Sequence, residues 1–365
     1  MMNTNQFDKD IKLLDVLSTH FDKKINKARI KFVCLFISAL CKVQTVCLSK
    51  LAIAFDTPAN SNSSQRRIQR FIAGYPLDSN IIAKMIFSIL PHNPPYQLTI
   101  DRSNWKFGET DINIFMLGVV YEGVAYPLLF SMLPKRGNSN TKERIELIER
   151  YINLFGIETI DAILADREFV GEDWMAYLNE KKIRYYLRIK GNFGVFIPKN
   201  NRKVKALWLF AQLRLGESMY LDKIHYVNNQ ACYLAGSKVR GKDGNIEYQI
   251  IISFNKPEKA IETYRNRWQI EMTFRAMKSS GFNIEDTHLY DIQRVERLLL
   301  LVMIAFVWVY NVGNFVHQKI REIKVKKHGR KAKSIFRYGL DIVSEFLYKS
   351  INQYDINVFL FLSCT

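Results

Sequence analysis

The sequence lacks the cysteine pattern of a disulfide framework or a zinc knuckle. Its five cysteines form no CxxC pair, and no histidine stands at zinc-finger spacing. The N-terminus, MMNTNQFDKDIKLLD, lacks the basic start and apolar middle of a signal peptide. With an odd cysteine count, this favours a reducing compartment, and we expect a cytoplasmic protein.

Acidic residues are also scarce relative to basic ones. The chain has 53 Lys and Arg against 35 Asp and Glu, a formal net charge of +18 at pH 7 and a sequence pI near 9.6. This excess suits a polyanionic partner such as nucleic acid, with a membrane surface as the competing polyanion. A chain of 365 residues that is 48% hydrophobic can bury a large core, and its length suggests two or three domains.

The sequence has only one long hydrophobic run, the uncharged stretch at residues 298–318. Its strictly apolar part, LLLLVMIAFVWVY, has about 13 residues, fewer than the ~20 that a bilayer requires. The second half carries polar residues, Asn311, Asn314, His317 and Gln318. The pattern predicts a buried core helix rather than a membrane span.

Residues 1–92 show no alternation of period two, which predicts a separate helical domain. Within it, Ser64 can cap a helix, QRRIQRFIA, that stops at Gly74. Three arginines fall at helical spacing on or near one side of this helix: Arg66, Arg67 and Arg70. They suit DNA phosphate contacts, although arginines that only solvate an amphipathic helix would give the same pattern.

From Tyr96 the chain changes to β character. Three runs, YQLTIDRSNW, INIFMLGVVYEG and VAYPLLFSMLP, predict a meander of consecutive strands. A helix capped at Thr141 and ended by Gly156 follows, then a strand (AILAD), a helix (EDWMAYLNEKK) and a strand (IRYYLRIKG). The pattern predicts an α/β domain, and ribonuclease-H-like folds are assembled in this order of strands and helical crossovers.

Residues 192 to about 256 interrupt that order with glycine-punctuated β segments, and helical periodicity returns near Lys259. We therefore predict three domains. They are a helical DNA-binding domain at 1–92, a catalytic domain at 93–320 with a β insertion at about 192–256, and a basic helical extension at 321–365.

Two aspartates follow apolar strand runs. Asp101 ends QLTI and Asp166 ends AILA, which places each carboxylate at or near a strand end, where it could bind a hard divalent cation. An aspartate at such a position can equally cap the next turn. Nearby acids compete for the metal role, and we interpret Glu168 and Asp173 as turn or helix-start carboxylates.

A third acid lies on the predicted helix after Lys259. Tyr264, Arg267, Glu271 and Lys278 are spaced by 3, 4 and 7 residues, which keeps them on one helical stripe. The alternative is that Glu271 only pairs with Arg267 or Arg275 as an exposed bridge.

The segment TYRNRWQIEMTFRAMK resembles the signature of IS4-family transposases: Tyr, two residues, Arg, three residues, Glu, six residues, Lys. TIDRSNW and LADREFVG resemble the family's two aspartate motifs, and the resemblance covers roughly residues 60 to 320. It implies a ribonuclease-H-like core whose catalytic, metal-binding triad is Asp101, Asp166 and Glu271, holding two Mg²⁺ or Mn²⁺ ions. It also implies that Tyr264, Arg267 and Lys278 contact DNA phosphates near the cut.

The function that the resemblance implies is that of a bacterial insertion-sequence transposase. Such an enzyme binds the terminal inverted repeats of its element as a homodimer in a synaptic complex and transfers their 3′ ends to double-stranded target DNA. A nuclease of the same fold without strand transfer stays open, and so does a catalytically silent DNA-binding regulator, against which the three carboxylates argue. Two runs, 181–205 and 319–337, each hold nine Lys and Arg and predict phosphate-binding surfaces.

Overall fold

The computed structural model describes residues 4–21, 24–241, 243–349 and 353–363. The chain divides into two compact units. The helical unit comprises Met1–His92, Asn104–Ile112 and Thr273–Thr365. The sheet unit comprises Asn93–Ser103 and Asn113–Met272. The boundaries predicted at residues 92 and 320 stay predictions.

The described residues form eleven α-helices and ten β-strands. The helices are α1 (Thr4–Phe21), α2 (Lys27–Val43), α3 (Leu48–Ile53), α4 (Ser61–Gly74), α5 (Ser79–Ser88), α6 (Thr141–Phe155), α7 (Glu172–Glu180), α8 (Ala260–Arg265), α9 (Gln269–Lys278), α10 (Ile292–Phe315) and α11 (Ile335–Lys349). The strands are β1 (Tyr96–Phe107), β2 (Thr110–Tyr121), β3 (Val124–Met132), β4 (Ile160–Ala165), β5 (Tyr185–Ile189), β6 (Gly194–Ile197), β7 (Arg202–Lys205), β8 (Ser218–Val227), β9 (Gln230–Arg240) and β10 (Ile246–Ser253).

Helix α10 forms the core of the helical unit. By length and composition the segment Ile292–Ile320 could cross a membrane, but 89% of its most apolar window is buried inside the structure. Asp291 caps its start by accepting a hydrogen bond from the Arg294 amide at 2.9 Å, and the Trp308 indole donates to the Val358 carbonyl at 2.8 Å. The predicted buried core helix is confirmed.

Helices α10 and α11 touch through their backbones. At Gly313, an added Cβ would lie 2.7 Å from the Gly339 nitrogen, and at Gly339 it would lie 2.7 Å from the Gly313 nitrogen. Only glycine permits this approach, because the neighbouring atoms are backbone and cannot turn away. The two glycines therefore set the packing distance between these helices.

The strands form one sheet in the order β3-β2-β1-β4-β5-β10-β9-β8-β6-β7. β4 pairs in parallel with both β1 and β5, whereas β10 joins β5 in antiparallel. The predicted sequence of three strands, helix, strand, helix and strand is confirmed. The short strands β6 and β7 did not stand out in the sequence, because four residues each carry too little alternation to register as strands.

Three local predictions are wrong. Helix α4 is capped by Asn60 rather than Ser64, and α6 is capped by Asn140 rather than Thr141. Asn140 and Glu143 form a reciprocal capping box, which satisfies two backbone donors at once. Asp101 does not end its strand, since β1 continues to Phe107.

Candidate active site

Asp101 lies on β1, and Asp166 directly follows β4, the parallel strand beside β1. Thr99 of β1 pairs with Leu164 of β4, so each aspartate stands two residues beyond that pair. Neighbouring strands are about 4.8 Å apart, which brings the two carboxylates to one place on the sheet. A rigid, buried pair of strands therefore positions them.

Each aspartate also accepts a hydrogen bond from the next backbone amide. The Arg102 amide donates to Asp101 Oδ1 at 2.7 Å, and the Arg167 amide donates to Asp166 Oδ1 at 2.8 Å. Asp166 caps a 3₁₀ turn at Arg167–Phe169. Asp166 therefore caps the next turn, as the alternative interpretation predicted. This cap uses Oδ1, and Oδ2 is still available as a ligand.

The segment that carries Glu271 is placed over the sheet by α8. Ala260, Ile261 and Tyr264 pack against a buried cluster that includes Leu164 and Ile251. A 3₁₀ turn at Asn266–Trp268 then separates α8 from α9, so the predicted helix is interrupted.

Arg267 and Tyr264 link the three candidate acids. The Arg267 guanidinium donates to Glu271 Oε1 at 2.6 Å and lies 3.5 Å from Asp101 Oδ2. The Tyr264 hydroxyl donates to Asp166 Oδ1 at 3.3 Å. The Arg267 guanidinium also lies 5.8 Å from the Tyr264 ring centroid. Asp101, Asp166 and Glu271 therefore belong to one network, although they come from a strand, the turn after a second strand and a helix.

The electrostatics of the site follow from burial. Burial raises the pKa of Asp101 to about 6, against the lowering effect of the Arg102 amide and Arg267 and with a further rise from Glu168 and Glu271. For Arg267, burial acts to lower the pKa, but the surrounding acidic groups prevail and raise it. The guanidinium is therefore always charged, and Asp101 carries an unfavourable negative charge at neutral pH.

The chemistry of these donors fits a divalent cation. Carboxylate oxygens are the ligands that Mg²⁺ and Mn²⁺ prefer, and a cation would relieve the charge that burial disfavours on Asp101. Across the described parts of the chain, no group of three acidic, histidine or cysteine side chains stands close enough to hold one ion together. In this arrangement Arg267 supplies the positive charge between Asp101 and Glu271.

A bidentate ion pair beside the aspartates did not emerge from the sequence. Arg102, which follows Asp101, donates to both carboxylate oxygens of Glu168 at 2.8 and 2.9 Å. It also donates to Asn113 at 3.2 Å and to Asn138 at 2.8 Å. Because Glu168 follows Asp166 by two residues, the pair ties together the chain segments that leave both aspartates, which explains why Glu168 is not a free competitor for metal.

A second arginine fixes the turn after Asp166. Arg144 of α6 is buried, donates to the Glu168 carbonyl at 3.0 Å and lies 5.1 Å from the Phe169 ring centroid. Burial lowers its pKa, opposed by Glu168 and Glu143. Its guanidinium also donates to the hydroxyl and the carbonyl of Ser139, so its role is to stabilise the turn and not to bind a ligand.

A cavity of about 960 Å³ opens beside the acids. Asp166, Tyr264 and Glu271 line it together with three basic residues of the sheet: Arg188, Lys190 and Arg240. Lys190 and Arg240 are exposed, whereas Arg188 pairs with Glu247 at 3.1 Å. Basic residues therefore line the cavity together with the carboxylates, which suits a polyanion, although Asp243 and Glu247 line it as well.

The other predicted DNA-contacting residues lie in the helical unit. Lys278 pairs with Glu285 at 2.6 Å and lies 5.2 Å from the Trp105 ring centroid. Arg66, Arg67 and Arg70 are exposed on α4, and the Arg67 guanidinium also lies 5.7 Å from the Phe32 ring centroid. The side of α4 that carries Ile68, Phe71 and Ile72 is buried. The helix is therefore amphipathic, as the alternative interpretation predicted, and its arginines are exposed to solvent.

The comparison with protein families identifies the class. The model of the transposase DDE domain matches residues 98–308, a range that contains all three candidate acids. The chain belongs to this family, and it is therefore a DNA transposase, of an enzyme class whose members are metal-dependent nucleotidyl transferases.

Among solved structures, the chain is similar to piggyBac transposase in a cryo-EM structure of a synaptic complex with hairpin DNA. Identity is 15%, the TM-score is 0.43, and the match covers 92% of this chain and 75% of that one. No curated protein sequence matches significantly.

Proposed function

We propose that the protein is an IS4-type insertion-sequence transposase that binds the ends of its element, cleaves them and joins the freed 3′ ends to target DNA. The observation that carries the proposal is the alignment of Asp101 with Asp166 on parallel strands, with Glu271 joined to Asp101 through Arg267. The strand order β3-β2-β1-β4-β5 supports a ribonuclease-H-like core, and we assign β6 to β10, which lie within residues 192–256, to its β insertion.

Asp101, Asp166 and Glu271 would hold two Mg²⁺ or Mn²⁺ ions. When bound, such ions activate the attacking oxygen and stabilise the leaving oxygen in an in-line displacement at phosphorus. The chain's own contribution is to hold three carboxylates on strands and a helix that cannot shift independently, since Arg102 and Arg267 connect them.

The basic residues in the cavity lining support a DNA phosphate beside the acids. Lys190 and Arg240 would bind the backbone there, and the Tyr264 hydroxyl and the Arg267 guanidinium lie on the same cavity lining as Asp166 and Glu271. We assign Lys278 and the α4 arginines Arg66, Arg67 and Arg70 to further backbone contacts. Holding two element ends together calls for a homodimer, and we place the reaction in the bacterial cytoplasm.

The test compares the wild type with Glu271→Gln on a duplex that carries the terminal repeat of the element that encodes this chain. We expect Mg²⁺-dependent cleavage and joining by the wild type and at least about 100-fold less by the variant, because one stabilising group at a phosphoryl centre is worth roughly that factor. Glu262→Gln, an exposed acid on α8, is the matched control and keeps full activity.

Binding to the same duplex without divalent ions must be equal in all three proteins, so that the loss lies in chemistry. A precut end separates the alternatives, because only a transposase joins its 3′ hydroxyl to a second duplex. Equal activity of wild type and Glu271→Gln would remove Glu271 from the site, and cleavage without joining would identify a nuclease.

A further inference from the structure

The segment between α10 and α11 forms a small β-hairpin that is strongly basic. Val325 bridges Lys331 in antiparallel fashion, the Lys326 amide donates to the Arg330 carbonyl at 2.8 Å, and the Ala332 amide donates to the Lys324 carbonyl at 2.8 Å. Gly329 provides the positive φ of +81° that the turn requires. Residues 324–332, which we call the basic hairpin, are therefore an ordered element.

The basic hairpin is attached firmly at its base. Ile323 is buried, and its amide donates to His317 Nδ1 at 3.0 Å. On the other strand, Lys331 contacts His317, and beyond it Lys333 pairs with Asp341 at 2.6 Å. The hairpin thus projects from fixed points on the helical unit instead of moving freely.

Four cations of the basic hairpin are exposed and have no acidic partner among the residues that the structure describes. They are Lys324, Lys326, Lys327 and Arg330. Held close together, four like charges repel one another, so their arrangement destabilises the free protein slightly. A polyanion that binds there would relieve that repulsion.

The strand register arranges these cations on a surface. Residues opposite one another in a hairpin share a face, so Lys324, Lys326 and Arg330 lie on one face, and Lys331 lies on the other. Lys324 and Lys326 are about 6.8 Å apart along the strand, close to two phosphate steps of about 3.4 Å on one DNA strand. The spacing suits contacts to two phosphates that lie two steps apart on one DNA strand.

Composition selects among the possible polyanions. The sequence KVKKHGRKA contains no Phe, Tyr or Trp on which an unpaired base could stack, and no Asn or Gln that reads base edges. Its one exposed large hydrophobic residue, Val325, is too little apolar surface to insert into a bilayer. The hairpin therefore favours the phosphate backbone of a duplex, without regard to its sequence.

We propose that the basic hairpin is a second, sequence-independent binding site for double-stranded DNA, separate from the candidate active site. This inference rests on the proposed function, because it takes duplex DNA as the partner. It assigns to the hairpin a role in overall affinity and none in the chemistry of cleavage or joining.

The test measures affinity for a duplex of unrelated sequence as a function of salt. The hairpin variant carries Lys324→Gln, Lys326→Gln, Lys327→Gln and Arg330→Gln. The control variant removes the same charge through Lys31→Gln, Lys84→Gln, Lys106→Gln and Lys259→Gln, all exposed and without an acidic partner in the described chain. Both are compared with the wild type after circular dichroism and urea unfolding show an intact fold.

For each DNA phosphate that the protein no longer neutralises, the slope of log association constant against log salt becomes shallower by about 0.9. Removal of four such cations changes the slope by about 3.6, so between 50 and 200 mM salt the affinity of the wild type falls by up to about 150-fold more than that of the hairpin variant. The control variant keeps the wild-type slope. This combination supports the proposal.

Equal slopes for the hairpin variant and the wild type overturn the proposal, and so do equal changes of slope in the hairpin and control variants, which would reflect net charge alone. Weaker binding of the hairpin variant to anionic phospholipid vesicles with DNA binding unchanged also overturns it. Each of these results leaves Glu271-dependent joining intact. Failure of the proposed function is recognised separately, as a wild type that joins no ends.

Discussion

Asp101 is subject to two opposing requirements. The proposed metal site needs its carboxylate ionised, whereas its burial in the fold disfavours the charge. Its pKa stands at about 6, raised from 3.8 chiefly by burial. Between these two values the folded protein binds more protons than the unfolded one, so stability falls as the pH rises through this window. Above about pH 6 the ionised carboxylate destabilises the fold by up to about 3 kcal/mol, at 1.36 kcal/mol per pKa unit.

We therefore expect Asp101→Asn to stabilise the protein at pH 7.5 in the presence of EDTA. Asparagine cannot ionise, and its carbonyl oxygen can still accept the hydrogen bond from the Arg102 amide. The gain in free energy of unfolding should be near zero below pH 4 and reach up to about 3 kcal/mol above pH 6. Urea unfolding at a series of pH values measures it, with Asp222→Asn, an exposed residue of β8, as the control.

Addition of Mg²⁺ should reduce the difference in free energy of unfolding between Asp101→Asn and the wild type, because a cation bound to the carboxylate stabilises only the wild type. A variant that is less stable than the wild type at pH 7.5 without metal would refute the reasoning. It would mean that the contact of Asp101 with Arg267, at 3.5 Å, outweighs the burial of the charge.

Two further predictions concern stability. Arg102→Met should lower the free energy of unfolding by about 3 to 5 kcal/mol, because it leaves the partly buried Glu168 unpaired; a double-mutant cycle with Glu168→Gln that gives a coupling below about 0.5 kcal/mol would contradict the pair's role. Gly339→Ala should cost about 1 to 3 kcal/mol or more in urea unfolding, because its Cβ would meet the backbone of α10, whereas Gly74→Ala, which meets nothing within 4 Å, should change stability by under about 1 kcal/mol.

The sequence predicts the central part of the sheet because its signals there are local. The run AILA is short, apolar and followed at once by Asp166, and it forms β4 with its residues largely buried. Helix α6 ends at the predicted Gly156, whose φ of +88° an L side chain rarely adopts. Periodicity and glycine suffice for such elements, since neither depends on distant partners.

Helix starts and the position of Asp101 inside β1 escaped prediction for a different reason. Asn60 and Ser64, like Asn140 and Thr141, are all acceptable caps, and backbone geometry alone selects between them. Asp101 directly follows the apolar run QLTI, which suggested a strand end, yet β1 continues through polar residues because β2 returns beside it. Pairing with a neighbour overrides the local polarity.

The pairing of Arg102 with Glu168 spans 66 residues of sequence, and no spacing rule applies at that distance. Glu168 carried a simpler interpretation, as a turn or helix-start acid, and Arg102 lay within a predicted strand without an assigned role. Only the parallel pairing of β1 with β4 brings the two together. The sequence feature that could have indicated this pair is position, because each of the two residues closely follows a candidate catalytic aspartate.

Arg267 shows why the exposed-bridge and functional interpretations of Glu271 could not be separated from the sequence. The i,i+4 pair exists, with 2.6 Å between the guanidinium and Glu271, as the simpler alternative predicted. Arg267 is nevertheless buried, whereas an exposed bridge would leave it in solvent, and its guanidinium also reaches Asp101. A buried arginine shared by two acids from distant parts of the chain has no role as a solvated surface pair. The burial of Arg267 therefore supports the functional interpretation of Glu271. The spacing of residues along a helix does not reveal whether they are buried, so the sequence could not decide between the two interpretations.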